Sequence, residues 1–235
     1  MKKRRLFVED PHWTYVTVIQ PESKNFNRYF FKRKKAYRVE LDSKKASIMA
    51  GYFLIEKDLR NCIVWLKECI VALEDGGFGE EVKGPHLAHQ NQQLFDRTKG
   101  MVVAAITTYG KCFNRAEGRG VKLERKNLEP EYFEVHDEAM ELRNNYTAHS
   151  GMKQIEYATL VVILEPNKNR SGPPKMSMEL SQPSSLTVPQ LTKIIELAEH
   201  SREFEKNKTK TLEEKIFEDE VLNKDKAYWY SKAKT

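Results

Sequence analysis

A mainly α-helical bundle with minor β content is the fold class this sequence predicts. Three observations predict it: an apolar stripe at alternating four- and three-residue spacing over 48–73, a second such stripe over 94–113, and short β-type segments, a β-branched and aromatic run alternating with period two near 12–19, a nearly continuous apolar, β-branched run over 155–164 and an alternating run over 175–181. With 235 residues, 40% of them hydrophobic and 31% charged, the chain is long enough to bury a full core and reads as a single domain over 1–235.

Residues 1–43 form a basic strand region. Trp13, Tyr15, Thr17 and Ile19 alternate with Thr14, Val16 and Val18, as a strand requires. The stretch from Tyr29 to Arg38 interleaves aromatics with basic residues, a pattern open to strand or helix, and the strand is preferred. Residues 44–151 form the helical core. Ile48, Tyr52, Ile55, Leu59, Cys62, Leu66, Cys69 and Leu73 line one face of a helix of roughly 30 residues, widened by Ile63 and Ile70 and broken by the glycines of 76–79. Leu94, Thr98, Met101, Ala105, Thr108, Tyr109 and Cys112, with Val102, Ile106 and Phe113 beside them, predict a second long helix ending around Gly118. A third runs from about Pro130 to near Gly151, with Val135, Ala139, Leu142 and Tyr146 inward. Residues 152–184 read as a β-hairpin, its strands Ile155–Leu164 and Lys175–Ser181 separated by turn chemistry. In 185–235, Thr187-Val-Pro-Gln190 and Thr211-Leu-Glu-Glu214 have capping-box form, each predicting a helix start.

The net charge of +6 is unevenly placed. Residues 1–40 hold eleven Lys or Arg against four acids, a local +7, and the remaining 195 residues sum to −1. Such a concentration suits a polyanion, nucleic acid before membrane, and its plainer reading is a solvated tail and a charged turn. Cys62, Cys69 and Cys112 form no paired framework and read as small core residues of a reducing compartment. The basic start loses its apolar run after three residues, and no apolar stretch approaches a membrane span, so a cytoplasmic protein without membrane partners is expected.

The chemistry is concentrated in Arg143-Asn-Asn-Tyr-Thr-Ala-His149, at the C-terminal end of the third helix. An imidazole with an ordinary pKa of about 6.5 exchanges protons at neutral pH. A forked, permanently charged guanidinium holds the non-bridging oxygens of a phosphate as negative charge accumulates on them. Together they suit RNA cleavage by the neighbouring 2′-hydroxyl, which needs neither metal nor cofactor. Six helical steps leave the two side chains about 120° apart, so they converge only where the helix loosens or where a second subunit completes the site. One histidine cannot deprotonate the 2′-hydroxyl and protonate the leaving 5′-oxygen at the same instant, which favours a symmetric dimer.

Arg143-Asn144-x4-His149 after two long apolar helices resembles the HEPN superfamily, as do Ala-His-Ser-Gly at 148–151 and Thr-Tyr-Gly-Lys-Cys-Phe at 108–113, which are similar to relatives in abortive-infection and toxin systems. The resemblance covers roughly residues 44–151. It implies an antiparallel helical bundle that dimerises with two motifs across a cleft, metal-independent endoribonuclease activity, and an antitoxin or defence-system partner. On this sequence it makes Arg143 the phosphate-binding residue, His149 the acid or base, and Asn144 the polar residue that orients them. A subgroup paired with nucleotidyltransferase antitoxins has Tyr two positions after the histidine, where Gly151 stands here. Residues 1–40 are too few for the separate sensor domain of the ring-nucleotide effectors.

Lys32, Arg33, Lys34, Lys35 and Arg119 complete the expected RNA-binding set with His136, which stands seven residues before Arg143 on the same face and either lines the cleft or is a surface histidine. In the plainer reading of the motif, Arg143 caps the helix or pairs with Glu138 or Glu141 and His149 binds the last carbonyls. The rival function is then a non-catalytic helical module for dimerisation, nucleic-acid binding or protein interaction. His86 and His89 have metal-compatible spacing without a Cys or carboxylate nearby, Gly110-Lys111 lacks the rest of a phosphate loop, and Cys112 belongs to the apolar stripe, so no metal or cysteine nucleophile is expected.

Overall fold

The structure, a computed structural model, describes residues 10–22, 24–78, 91–147, 157–166, 172–181 and 186–233. It is mainly helical with two small antiparallel sheets, and divides into two compact units, Met1–Phe53 with Lys206–Thr235, and Leu54–Glu205.

In the first unit β1 (Trp13–Val18), β2 (Phe26–Phe31) and β3 (Lys34–Lys35) form a sheet in that order. Its register pairs Trp13 with Phe31, Tyr15 with Tyr29 and Thr17 with Asn27, so period-two alternation gathers four rings on one face, with centroids 4.9 Å apart for Trp13–Phe31 and 6.1 Å for Tyr15–Tyr29. The strand preferred over 29–38 is instead a tight hairpin whose two-residue turn is Lys32-Arg33. Both turn residues have positive φ, 46° and 67°, as a primed turn demands. The same unit contains the C-terminal helix α5 (Lys226–Lys232), whose first turn is capped by the Asp225 carboxylate accepting from the Tyr228 amide at 2.7 Å.

The second unit holds the main core. The stripe of α1 (Lys44–Asp75) is buried at Ile55, Leu59, Cys62, Leu66, Cys69 and Leu73, and that of α2 (Gln92–Phe113) at Thr98, Val102, Ala105, Ile106, Tyr109, Cys112 and Phe113. Leu191, Ile194, Ile195, Leu197 and Ala198 of α4 (Val188–Ile216) join them. The second helix ends at Phe113 rather than Gly118. An irregular stretch with turns at Arg125–Asn127 and Pro130–Tyr132 then leads into α3 (Phe133–Thr147). Among the described side chains of α3, His136 and Ala139 are buried: Ala139 lies on the expected 135–139–142–146 stripe and His136 does not, while Val135 and Leu142 are half-buried and the side chain of Tyr146 lies outside those described.

β4 (Tyr157–Ile163) and β5 (Lys175–Ser181) form the expected hairpin, in which Leu160 pairs with Met178 and Val162 with Met176 on one exposed apolar face. At the start of α4, the Gln190 side chain accepts from the Thr187 amide at 2.9 Å, the reciprocal bond of a capping box. The second box starts nothing. α4 runs through Thr211, whose hydroxyl donates to the Asn207 carbonyl four residues back, an alternative open to any mid-helix threonine.

Candidate functional site

The site is built where α3 packs on α2. Arg143 lies on the same side of α3 as His136 and Ala139, and its aliphatic stem crosses Gly110 of α2. A Cβ at position 110 would stand 3.0 Å from Cδ and 3.2 Å from Cγ of Arg143, so only glycine admits this approach without displacement. Nη1 of Arg143 donates to the side-chain amide oxygen Oδ1 of Asn144 at 3.0 Å. The head is thus hydrogen-bonded to its neighbour and the stem lies over a glycine of the facing helix. His149, the other half of the expected pair, lies outside the described residues, as do His86 and His89.

Gly110 is the site residue that spacing did not single out for this role. The signal was present: a glycine inside a strong helical pattern costs about 1 kcal/mol against alanine and so points to a close approach.

His136 is neither a cleft residue nor a surface one. It is 5% exposed, its Nδ1 is 2.8 Å from the Tyr109 hydroxyl, and its ring packs on Phe113 with centroids 4.5 Å apart. The physical reason is the rotation of α3, which turns position 136 toward α2. Burial lowers the imidazole pKa, a shift that Asp137 opposes and Arg125 reinforces. Folded His136 therefore resists a proton that the unfolded chain takes up below its ordinary value of 6.5. The resulting loss of stability begins as pH falls through about 6.5 and grows below it, while above that value both states are neutral and the term vanishes. His136→Gln, which keeps a hydrogen-bonding group beside Tyr109, is expected to flatten the fall in urea midpoint between pH ~7 and ~5. An identical pH dependence in parent and variant would contradict it.

Arg119 also turns inward. Its side chain is 5% exposed, its guanidinium is hydrogen-bonded to the carboxylate of Asp58, and Nη1 reaches the Lys111 carbonyl at 3.4 Å. It is a core ion pair, and not a group offered to a phosphate. Sequence reading missed this because the partner stands 61 positions away.

Lys32, Arg33, Lys34 and Lys35 do face solvent, at the tip and return strand of the first unit's hairpin, with the Lys32 ammonium 5.6 Å from the centre of the Phe31 ring. Left-handed backbone costs a non-glycine residue roughly 1–2 kcal/mol, which the turn bears at both tip positions while displaying two cations. Arg143 and Asn144 belong to the second unit, so the expected site residues fall into two groups.

The three thiols are structural. Cys62 donates to the Ala105 carbonyl at 2.8 Å, and burial pushes Cys62 and Cys112 up to about 12 and Cys69 up to about 11. Among the described residues no cluster of three or more His, Cys, Asp or Glu is arranged to hold a metal ion, and no helix is long and apolar enough to cross a membrane.

No protein-family model, curated protein or solved structure matches this chain.

Proposed function

We propose that this protein is a HEPN-type, metal-independent endoribonuclease of a toxin or phage-defence system, with Arg143, Asn144 and His149 as its catalytic residues. The observation that carries the reading is the seating of Arg143: an arginine stem laid over a helix glycine, its head held by the adjacent asparagine. A surface arginine with no task needs no such slot. A guanidinium held in one place meets a phosphate without losing rotamer freedom at the moment of reaction, which makes electrostatic stabilisation effective.

In this reading His149 exchanges the proton and a second copy contributes the second histidine, because attack by the 2′-hydroxyl needs a base at one oxygen and an acid at the other. The exposed apolar face of β4 and β5, with Leu160 60%, Val162 62%, Met176 73% and Met178 54% exposed, supports self-association, since an isolated two-stranded hairpin is marginal in water. The same face is what favours the second reading, a non-catalytic interaction module. Cleavage of a mixed RNA pool by wild-type protein, lost in His149→Ala, distinguishes the two.

Gly110→Ala tests the slot directly. Alanine gains about 1 kcal/mol of helix propensity over glycine, while its methyl group meets the Arg143 stem and shifts the head. The expected variant is as stable as the parent within about 1 kcal/mol and less active, since its methyl group asks the Arg143 stem to give by a few tenths of an ångström and a positioned group is sensitive to displacement. Full activity in a folded Gly110→Ala protein would remove the slot from the mechanism.

A further inference from the structure

The first unit contains a surface that the reading above does not use. Helix α5 has the sequence Lys226-Ala-Tyr-Trp-Tyr-Ser-Lys232 and follows Lys224. Its Tyr228 and Tyr230 rings are 39% and 53% exposed, and Tyr37, 61% exposed, meets Tyr230 edge-on with centroids 5.3 Å apart. Each helix tyrosine has an ammonium against it. Lys224 and Lys232 lie 5.3 Å and 6.0 Å from the Tyr228 ring centre, and Lys226 lies 5.8 Å from that of Tyr230.

Trp229, between them, meets the Tyr228 ring edge-on with centroids 5.2 Å apart and anchors the helix, its indole N–H donating to the Val221 carbonyl at 3.2 Å. With the Asp225 cap at the start, this holds the exposed rings in place. Beside Tyr228 is a cavity of about 780 Å³ lined by Arg28, Tyr29, Lys35, Tyr228, Trp229 and Lys232 among others. Of the four acids that line it, Glu40 is paired with Arg38 and Asp219 with Lys45, and Asp42 and Glu220 stand against the five cations Arg28, Lys35, Arg38, Lys224 and Lys232 of the same lining.

We propose that this surface binds a single-stranded polynucleotide, with bases stacked on Tyr228, Tyr230 and Tyr37 and phosphates held by Lys224, Lys226, Lys232 and Lys35. Base–ring stacking tolerates any sequence because every base has a π face, and the alternation of rings with cations matches the alternation of bases with phosphates along a strand. A duplex hides its base faces and can use only the lysines. An acidic peptide also uses only the lysines, leaving the three exposed rings without a role. The inference concerns binding in the unit that lacks Arg143, and so stands or falls independently of cleavage.

Fluorescence anisotropy of the full chain with a labelled 2′-O-methyl oligouridylate dodecamer, which 2′-hydroxyl attack cannot cut, tests it, with oligo-dT as a second arm. Tight binding of either strand supports the proposal, and the ratio of the two says whether RNA or DNA is preferred. The double variant Tyr228→Ala/Tyr230→Ala is expected to bind about 10- to 100-fold more weakly, Tyr228→Phe/Tyr230→Phe to bind within about twofold of the parent because the stacking face is kept, and the matching duplex to bind at least about tenfold more weakly. The proposal is overturned if neither strand binds, if the alanine variant binds like its parent while the phenylalanine variant shows the unit folded, if the duplex binds as well as the strand, or if polyglutamate of equal charge competes as well as the oligonucleotide.

Discussion

Replacing His149 by alanine is expected to reduce RNA cleavage by about 10²- to 10⁴-fold, the usual worth of a general acid or base. Arg143→Ala should fall by about 10²- to 10³-fold, the usual worth of a donor aimed at developing negative charge. Both are to be measured on single-turnover cleavage of a labelled RNA. Arg143 calls for a further control, because its stem packs on α2 at Gly110 and its truncation removes contacts as well as charge. Arg143→Lys provides it: the stem and charge stay, while the fork that is proposed to grip two phosphate oxygens and that reaches Asn144 is lost. Loss of activity in Arg143→Lys, at an unchanged urea midpoint, assigns the defect to chemistry. In the proposed mechanism the nucleophile is the substrate's own hydroxyl, so cleavage should persist in EDTA and leave a 2′,3′-cyclic phosphate and a 5′-hydroxyl. Wild-type protein inactive on every RNA pool would shift the weight to the interaction module. A requirement for Mg²⁺ would exclude the internal-attack mechanism, and a fully active His149→Ala protein would remove the proposed acid or base.

What was legible in the sequence was what one helix decides for itself. The 4–3 spacing of α1 depends only on which side of a cylinder is apolar, and six of its eight expected positions, Ile55 to Leu73, are fully buried. The β4–β5 hairpin is equally local, fixed by two apolar runs and a polar turn. The rotation of α3 was not legible. Val135, His136, Ala139, Leu142 and Arg143 span an arc in which hydrophobicity alone favours 135 and 142, but packing against Tyr109 buries His136 while Val135 is half-buried, and Leu142 shares its level of burial with Arg143, whose stem crosses Gly110. An imidazole with a tyrosine hydroxyl to bond, and an arginine stem with a glycine to cross, are both good core-facing groups. Neither partner can be inferred from α3 by itself. The false helix start at Thr211 has the same origin, since a capping sequence acts only where the chain already leaves the helix, and nothing breaks α4 before Ile216.

Breaking the Asp58–Arg119 pair is expected to have the largest effect on stability of any single substitution considered. The two side chains are 6% and 5% exposed, so each charge has given up its water and is compensated chiefly by the other. Asp58→Ala leaves the guanidinium buried opposite nothing but the Lys111 carbonyl, with the ammonium of Lys111, now 3.4 Å from Asp58, adding repulsion nearby. Removing one member of such a pair costs about 3–5 kcal/mol, a large part of the roughly 5–15 kcal/mol that holds a domain folded. Arg119→Leu should cost less than Asp58→Ala, because the stranded carboxylate keeps Lys111 at 3.4 Å and Lys57 at 3.9 Å as partial partners. The double variant Asp58→Leu/Arg119→Leu should recover much of the loss, since buried pairs replaced by apolar groups of similar volume are often no less stable. Urea denaturation of the three proteins measures the order. The same set decides what Arg119 does: a folded Arg119→Leu protein should keep its affinity for RNA, and a variant with unchanged stability and weakened RNA binding would return this arginine to the binding surface.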